Sequence, residues 1–188
     1  MSEITIKTPR LILRPPVMDD LDVIHAAKLA VWPELQKWMS WASNEEASYE
    51  ATKKYIEARQ EETNNLRLIG LCRESGNFVI ATGLDRLGSD LYSTGYWVAK
   101  NYLGQGYATE ACNAVIRYCF KTYNPLALQI DHFEGNEKSR NVILKLGFSL
   151  LERMPDAAWR HADNSSLPLY KYIRTDAYDL PELEVTWS

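Results

Sequence analysis

Hydrophobic positions along the chain change period several times, and each change marks an element. Ile4, Ile6, Leu11 and Leu13 follow the spacing of a strand, with Pro9 inside, which predicts an opening edge strand or a break at the proline. Asp19 and Asp20 then precede Val23, Ile24, Ala27 and Ala30, spaced as one face of a helix, and carboxylates suit the free N–H groups of a first turn. Ser43 to Thr63 is polar, with Tyr49, Thr52, Tyr55, Ile56 and Arg59 at helical spacing, and predicts a surface helix. Leu66 to Cys72, Phe78 to Leu84 and Leu91 to Val98 read as three strands of a meander, the first two joined at Glu74-Ser75-Gly76-Asn77.

The second half continues in the same way. From Gly106 to Lys121 runs the strongest helix pattern, in which Ala108, Ala111, Cys112, Val115, Ile116, Cys119 and Phe120 form one wide apolar stripe. Leu126 to Phe133 has the pattern of a buried strand. Glu137 to Leu146 is a short helix that Gly147 closes, and Phe148 to Met154 and Leu167 to Ile173 are the final strands. The order β-α-α-β-β-β-α-β-α-β-β combines antiparallel hairpins with a single βαβ crossover. An α/β (α+β) chain with a mixed, mostly antiparallel sheet and helices on both faces follows.

Composition narrows the class. With 188 residues, 46% hydrophobic and 24% charged, the chain suits one domain over 1–188, with the acidic residues 175–188 as a C-terminal tail or a dimer contact. A net charge of -4 argues against nucleic-acid binding, which needs a basic footprint. No apolar run has the length of a membrane span and the N-terminus lacks a signal-peptide core, so a cytoplasmic protein, monomer or homodimer, is expected. Cys112 and Cys119 share the apolar stripe and read as core residues; His25, His132 and His161 are far apart, and no metal is expected.

Chemistry gathers at two stretches. In YWVAKNYLGQGYATEA, Tyr96 to Ala111, Gly104 and Gly106 stand between a strand and a helix. Glycines so placed let main-chain N–H groups from Gln105 to Thr109 converge on an anion at the helix N-terminus, with Thr109 adding a hydroxyl. The alternative is a loop that needs positive φ and holds nothing. A dinucleotide fits poorly, since Ala99 to Leu103 lengthens the turn and the chain has one βαβ unit rather than two. In NEKSRNVILKLGF, Asn136 to Phe148, a strand ends, Asn136 precedes a helix, and Ser139 and Arg140 occupy its first turn.

Together with TPRLILRP, Thr8 to Pro15, these stretches resemble the GNAT superfamily of acyl-CoA-dependent N-acyltransferases. Within it they resemble the RimJ/RimL type, which acetylates N-terminal amines of ribosomal proteins. The resemblance implies a sheet splayed at a central bulge, acetyl-CoA as co-substrate, and transfer to a primary amine, foremost a ribosomal or other protein N-terminus. A small-molecule amine and a non-catalytic acyl-CoA-binding module are the alternatives. It assigns the pyrophosphate loop to Leu103, Gly104, Gln105, Gly106, Tyr107 and Ala108, extended by Thr109; Leu103 departs from the usual Gln or Arg. Trp97 and Val98 would bond the pantetheine arm through the main chain, and Asn136 would contact it while capping its helix.

Ser139 is the expected catalytic residue, a hydroxyl placed to donate to the departing thiolate sulfur. Arg140 would reach the nucleotide phosphates, as would Lys100 and Lys138. The carboxylate usual just before the GYW strand motif is absent, because Tyr92-Ser93-Thr94 precedes Gly95. Asp85, Asp90, Glu134 and His132 are the substitutes for the base, as is a water chain. Trp32, Trp38, Trp41 and Tyr49 are expected at the acceptor wall, with Glu34, Glu45 and Glu46 as attractors of a cationic amine.

Overall fold

Proline and hairpin turns organise one side of the sheet. The structure is a computed structural model that describes residues 4–58 and 65–188. The opening strand does break at Pro9, into β1 (Ile6–Lys7) and β2 (Leu11–Arg14), which pair antiparallel. Helix α1 (Leu21–Ala30) follows, but Asp20 does not cap it. Its carboxylate instead takes both Arg14 guanidinium nitrogens at 2.7 and 2.8 Å and the Val17 N–H at 2.8 Å. A further helix, α2 (Trp32–Trp38), starts with proline in its first turn, where the missing N–H costs nothing. Helix α3 covers Tyr49–Ala58; the rest of the predicted surface helix, including Arg59, lies outside the described residues.

The meander is β3 (Asn65–Cys72), β4 (Phe78–Arg86) and β5 (Leu91–Val98). Helix α4 (Tyr107–Tyr123) crosses over to β6 (Ala127–Phe133), α5 is Glu137–Lys145, and β7 (Ser149–Arg160) and β8 (Ser165–Arg174) form a long hairpin. Two closing residues, β9 (Thr186–Trp187), add to β1. The sheet order is β7-β8-β6-β5-β4-β3-β2-β1-β9, antiparallel except at β5–β6.

Alternation along the strands sends their side chains to two different layers. On one face Leu128, Ile130, Tyr92, Tyr96 and Val98 pack with the α4 stripe (Ala111, Cys112, Val115, Ile116, Cys119) and with Ile143 and Leu146 of α5. On the other, Ile69, Ala81 and Trp97 pack with Leu21 and Ile24 of α1 and Ile56 of α3. Side chains such as Leu68, Ile80, Ile116 and Leu128 are fully buried, each contributing about 1.5–3 kcal/mol. Residues 175–188 lie along α4, where Asn113 Nδ2 and Arg117 Nη2 donate to the Pro181 carbonyl at 2.8 and 3.1 Å.

The register of β5 decides what the sheet can hold. Its pairing with β4 is unbroken from Arg86↔Tyr92 to Ile80↔Val98. Pairing with β6 covers only Leu91↔Ala127, Tyr92↔Leu128 and Ser93↔Gln129. Beyond Ser93 the two parallel strands part. No register shift accompanies the parting in the β4–β5 pair; the shifts lie at Gly70/Leu71 and in β7. The splay therefore arises in the parallel pair itself, not at the bulge the resemblance implied.

Candidate active site

Hydrogen-bond parity shows which groups face the gap. The Ala99 N–H donates to the directly opposite Val79 carbonyl at 2.8 Å, so odd-numbered β5 residues bond to β4. Tyr96 and Val98, even-numbered, turn their main-chain groups toward the gap. On β6 the Glu134 N–H bonds to the opposite Pro168 carbonyl at 2.9 Å, so Asp131 and Phe133 face the gap from the far side. Two strand edges with fixed amide spacing thus stand without pairing to each other.

The glycine loop closes one end. Gly104 (φ 72°) and Gly106 (φ 82°) both lie in the left-handed region that favours glycine, a conformation that a loop holding nothing would also need. The first helical bond of α4 runs from the Glu110 N–H to the Gly106 carbonyl at 3.1 Å, which leaves the N–H groups of Tyr107, Ala108 and Thr109 without a helical acceptor. Leu103 is exposed, so its departure from Gln or Arg is sterically neutral. Gln105 uses its side chain on the Asn101 carbonyl at 2.7 Å, and Tyr107 turns its ring inward against Tyr102.

What steadies this loop was missed in the sequence. Arg10 places its guanidinium 4.1 Å from the Tyr107 ring centroid and donates through Nη1 to the Gln105 carbonyl at 3.0 Å. Its Nε and main-chain N–H both donate to the buried Glu110 carboxylate, at 2.6 and 2.9 Å, and the Thr8 hydroxyl donates to the same group at 2.6 Å. The opening TPR of the TPRLILRP stretch therefore clamps the first turn of α4. Its signal was charge complementarity between Arg10 and a glutamate on an otherwise apolar helix face, 100 residues away.

Helix α5 closes the other end. The Asn136 Oδ1 accepts from the Ser139 N–H at 3.2 Å, a cap that leaves the amide NH2 as a donor. Ser139 Oγ lies 3.5 Å from the Tyr96 hydroxyl, a contact across the mouth of the gap. Burial and the neighbouring Cys112 hold the Tyr96 phenol far above its ordinary value, so it stays protonated. Arg140 is exposed and already bound to Glu137 at 3.2 Å. Val98 turns its main chain toward the gap, whereas Trp97, odd-numbered, is bonded to β4 and does not offer its main chain to an arm lying there; its ring packs on Phe78 at 5.2 Å, partly buried among α1 and α3 residues.

None of the four considered bases has the geometry for that role. Glu134 accepts from Arg153 and Tyr170, both at 3.0 Å, and these donors hold its carboxyl below the usual range. His132 is buried between two tyrosine rings; Nδ1 lies 2.8 Å from the Phe133 carbonyl and Nε2 3.3 Å from the Tyr172 hydroxyl. Asp85 stands opposite Ser93 but on β4, with β5 between it and the gap, and Asp90 belongs to the β4–β5 turn end and accepts from Ser89.

Where the acceptor wall was expected, α2 meets the β7–β8 hairpin. The Ala162 N–H donates to the Gln36 carbonyl at 3.0 Å and His161 Nε2 lies 2.7 Å from the Ser40 carbonyl. Trp38 lies alongside Gly135, next to the Asn136 cap, and donates to Glu34 at 3.3 Å. Lys37 is the main cause that holds the Glu34 carboxyl below its ordinary value. Tyr49 instead joins α3 to α1, donating to Asp22 at 2.7 Å.

A mixed sheet that parts beside a glycine-rich helix start places the chain among folds of the acyltransferase class. Residues 10–149 match the model of the acetyltransferase (GNAT) domain, and the chain belongs to that family. It is similar to YdaF of Bacillus subtilis (strain 168), named provisionally as a ribosomal N-acetyltransferase, at 32% identity over 82 residues. That match spans 44% of this chain and 45% of YdaF. Among solved structures it resembles RimL, the ribosomal L7/L12 α-N-protein acetyltransferase in complex with coenzyme A, with TM-score 0.81 at 18% identity over 91% of this chain and 97% of that one. The ribosomal-protein-S5-alanine acetyltransferase from Vibrio fischeri gives TM-score 0.80 at 16% identity, covering 95% and 99%. At these identities the likeness shows the fold.

Proposed function

We propose that the protein transfers an acetyl group from acetyl-CoA directly to a primary amine, with a protein or peptide N-terminus, foremost a ribosomal one, as acceptor in the cytoplasm. The observation that carries this is the parting of β5 from β6 after Ser93↔Gln129, between a glycine loop and the Asn136–Ser139 turn. The residues fit a phosphopantetheine thioester. Tyr96 and Val98 offer main-chain groups that an extended, amide-bearing arm can pair with as a strand would. The unpaired N–H groups of Tyr107, Ala108 and Thr109 suit a pyrophosphate. Asn136 keeps a donor for the arm.

When bound, acetyl-CoA supplies an activated acyl carbon and a thiolate leaving group. The chain does the rest. Main-chain N–H groups on β5 polarise the thioester carbonyl, a fixed dipole worth more where water is excluded. Ser139 donates its hydroxyl to the sulfur, and Tyr96, kept protonated, stands behind it to donate in turn. Trp38, Glu34 and the β7–β8 hairpin wall the acceptor side, where a carboxylate favours a cationic amine. The names of the ribosomal acetyltransferases to which the chain is similar support the choice of acceptor.

Incubation with acetyl-CoA and a panel of free-N-terminus peptides, polyamines, amino acids and aminoglycosides tests the reading, with acetylated products identified by mass spectrometry. Acetylated peptide N-termini are expected. Products from small amines alone would overturn the choice of acceptor, and CoA retention without any acetylated product would mark a binding module.

A further inference from the structure

The reaction needs a proton acceptor, and the four considered carboxylate and imidazole groups are tied up or misplaced. A fifth group stands in the gap. Strand β6 alternates: Leu128 and Ile130 face the α4–α5 layer, so Gln129, Asp131 and Phe133 face the α1–α2 layer. Continuing the register of Ser93↔Gln129 sets Gly95 across from Asp131, just where the strands have parted. Gly95 is exposed, and a Cβ built on it meets nothing within 4 Å. The Asp131 carboxylate therefore borders open space on the acceptor side. Ser139, by contrast, reaches the gap from the α4–α5 layer.

Resting on the acetyl-transfer reading above, we propose that Asp131 is the general base, taking a proton from the incoming ammonium on the sheet face opposite Ser139. It stands in for the carboxylate missing before Gly95, supplied from the neighbouring strand. A deprotonated amine then forms the C–N bond with the acyl carbon while the C–S bond breaks and its electron pair stays on sulfur. Of the two protons an ammonium loses in becoming an amide, one ends on the thiol sulfur by way of Ser139. The other leaves to solvent from Asp131.

The electrostatic setting agrees. Water reaches the Asp131 side chain, yet enough protein surrounds it that burial raises its pKa, with Lys171 and then His132 partly opposing. Lys171 is its cross-strand neighbour on β8, and Glu152 faces Lys171 from β7. Opposite on β5 stand Ser93, Gly95 and Trp97, none of them titratable. A carboxylate so raised is better matched to a proton it must take near neutral pH.

Two readouts test this. In protein carrying 13C-labelled aspartate carboxyl groups, the resonance that disappears in Asp131→Asn should titrate above the other aspartates and shift when CoA is added without any acceptor. In kinetics, Asp131→Asn should lower kcat/KM for the amine by about 10²-fold near neutral pH, while CoA affinity stays within about two-fold and Asp131→Glu restores part of the rate. The deficit should shrink as pH rises, because solvent then supplies the free amine. A loss of equal size at every pH, an unimpaired Asn variant, or a carboxyl resonance indifferent to CoA would overturn the assignment. A wild type that acetylates no amine would overturn the transfer reading, whereas an active wild type matched by Asp131→Asn would overturn only the role of Asp131.

Discussion

Replacing Arg10 by alanine tests how the glycine loop is held. The Glu110 side chain is only 7% exposed and accepts three bonds, from Thr8 Oγ1, Arg10 N and Arg10 Nε. Alanine removes the Nε bond, the contact with the Tyr107 ring and the bond to the Gln105 carbonyl. A charge-assisted bond contributes about 1.5–3 kcal/mol and the ring contact about 0.5–1 kcal/mol. The Arg10 side chain is 43% exposed, so water recovers part of both. The variant should lose about 2 kcal/mol by urea denaturation, which for a chain of this size lowers Tm by about 4–8 °C. Freed of its tie, the Gln105 segment must be ordered by the ligand, and CoA affinity by calorimetry should fall about 5- to 10-fold, or about 1–1.4 kcal/mol. Arg10→Lys keeps the charge without the fork and should fall between. A stability loss below about 0.5 kcal/mol, or a full loss with CoA affinity unchanged, would refute the clamp.

Other consequences are independent. Ser139→Ala should lower turnover far more than CoA affinity; equal losses would remove its part in thiolate departure. Gly147→Ala puts a Cβ against Arg174 Nη1 at a backbone with φ 71°, while that guanidinium is fixed on the Leu146 and Tyr178 carbonyls. It should cost about 2–4 kcal/mol in urea denaturation, and a neutral result would mean that Arg174 moves freely. Cys112 and Cys119 are buried, with thiols pushed up to about 12, whereas hydrogen bonds from the Ser75 side chain and nearby main chain lower that of Cys72. A thiol-reactive dye at pH 8 should therefore label Cys72 alone until the protein is denatured, and fast labelling of two or more sites would contradict the packing of α4.

Much of this fold was legible because its elements are strongly periodic. The α4 stripe, the meander and the break at Pro9 all follow from spacing. Helix α2 was harder, since Pro33 reads as an interruption unless it is placed in the first turn. Strand β7 runs past Met154 to Arg160 because the hairpin with β8 carries it through Pro155, a pairing that local propensity does not encode. The glycine loop was visible in Gly104 and Gly106, and both do adopt positive φ. The gap itself was implied only by resemblance, since a parallel pair three residues long leaves no trace in hydrophobic period. Arg10–Glu110 is a contact between distant elements, and the placement of Asp131 across from Gly95 follows only from the register of two strands. Asp131 did carry a signal: a lone acid between Ile130 and His132, on the opposite face from Leu128 and Ile130.

A crystal structure of the protein grown with acetyl-CoA tests the central claim most directly. The pantetheine arm should lie between β5 and β6, bonded to the main chain of Tyr96 and Val98, with its pyrophosphate on the N–H groups of 107–109. The same ligand found elsewhere, or β5 and β6 zipped together past Ser93 with no room for it, would contradict the account.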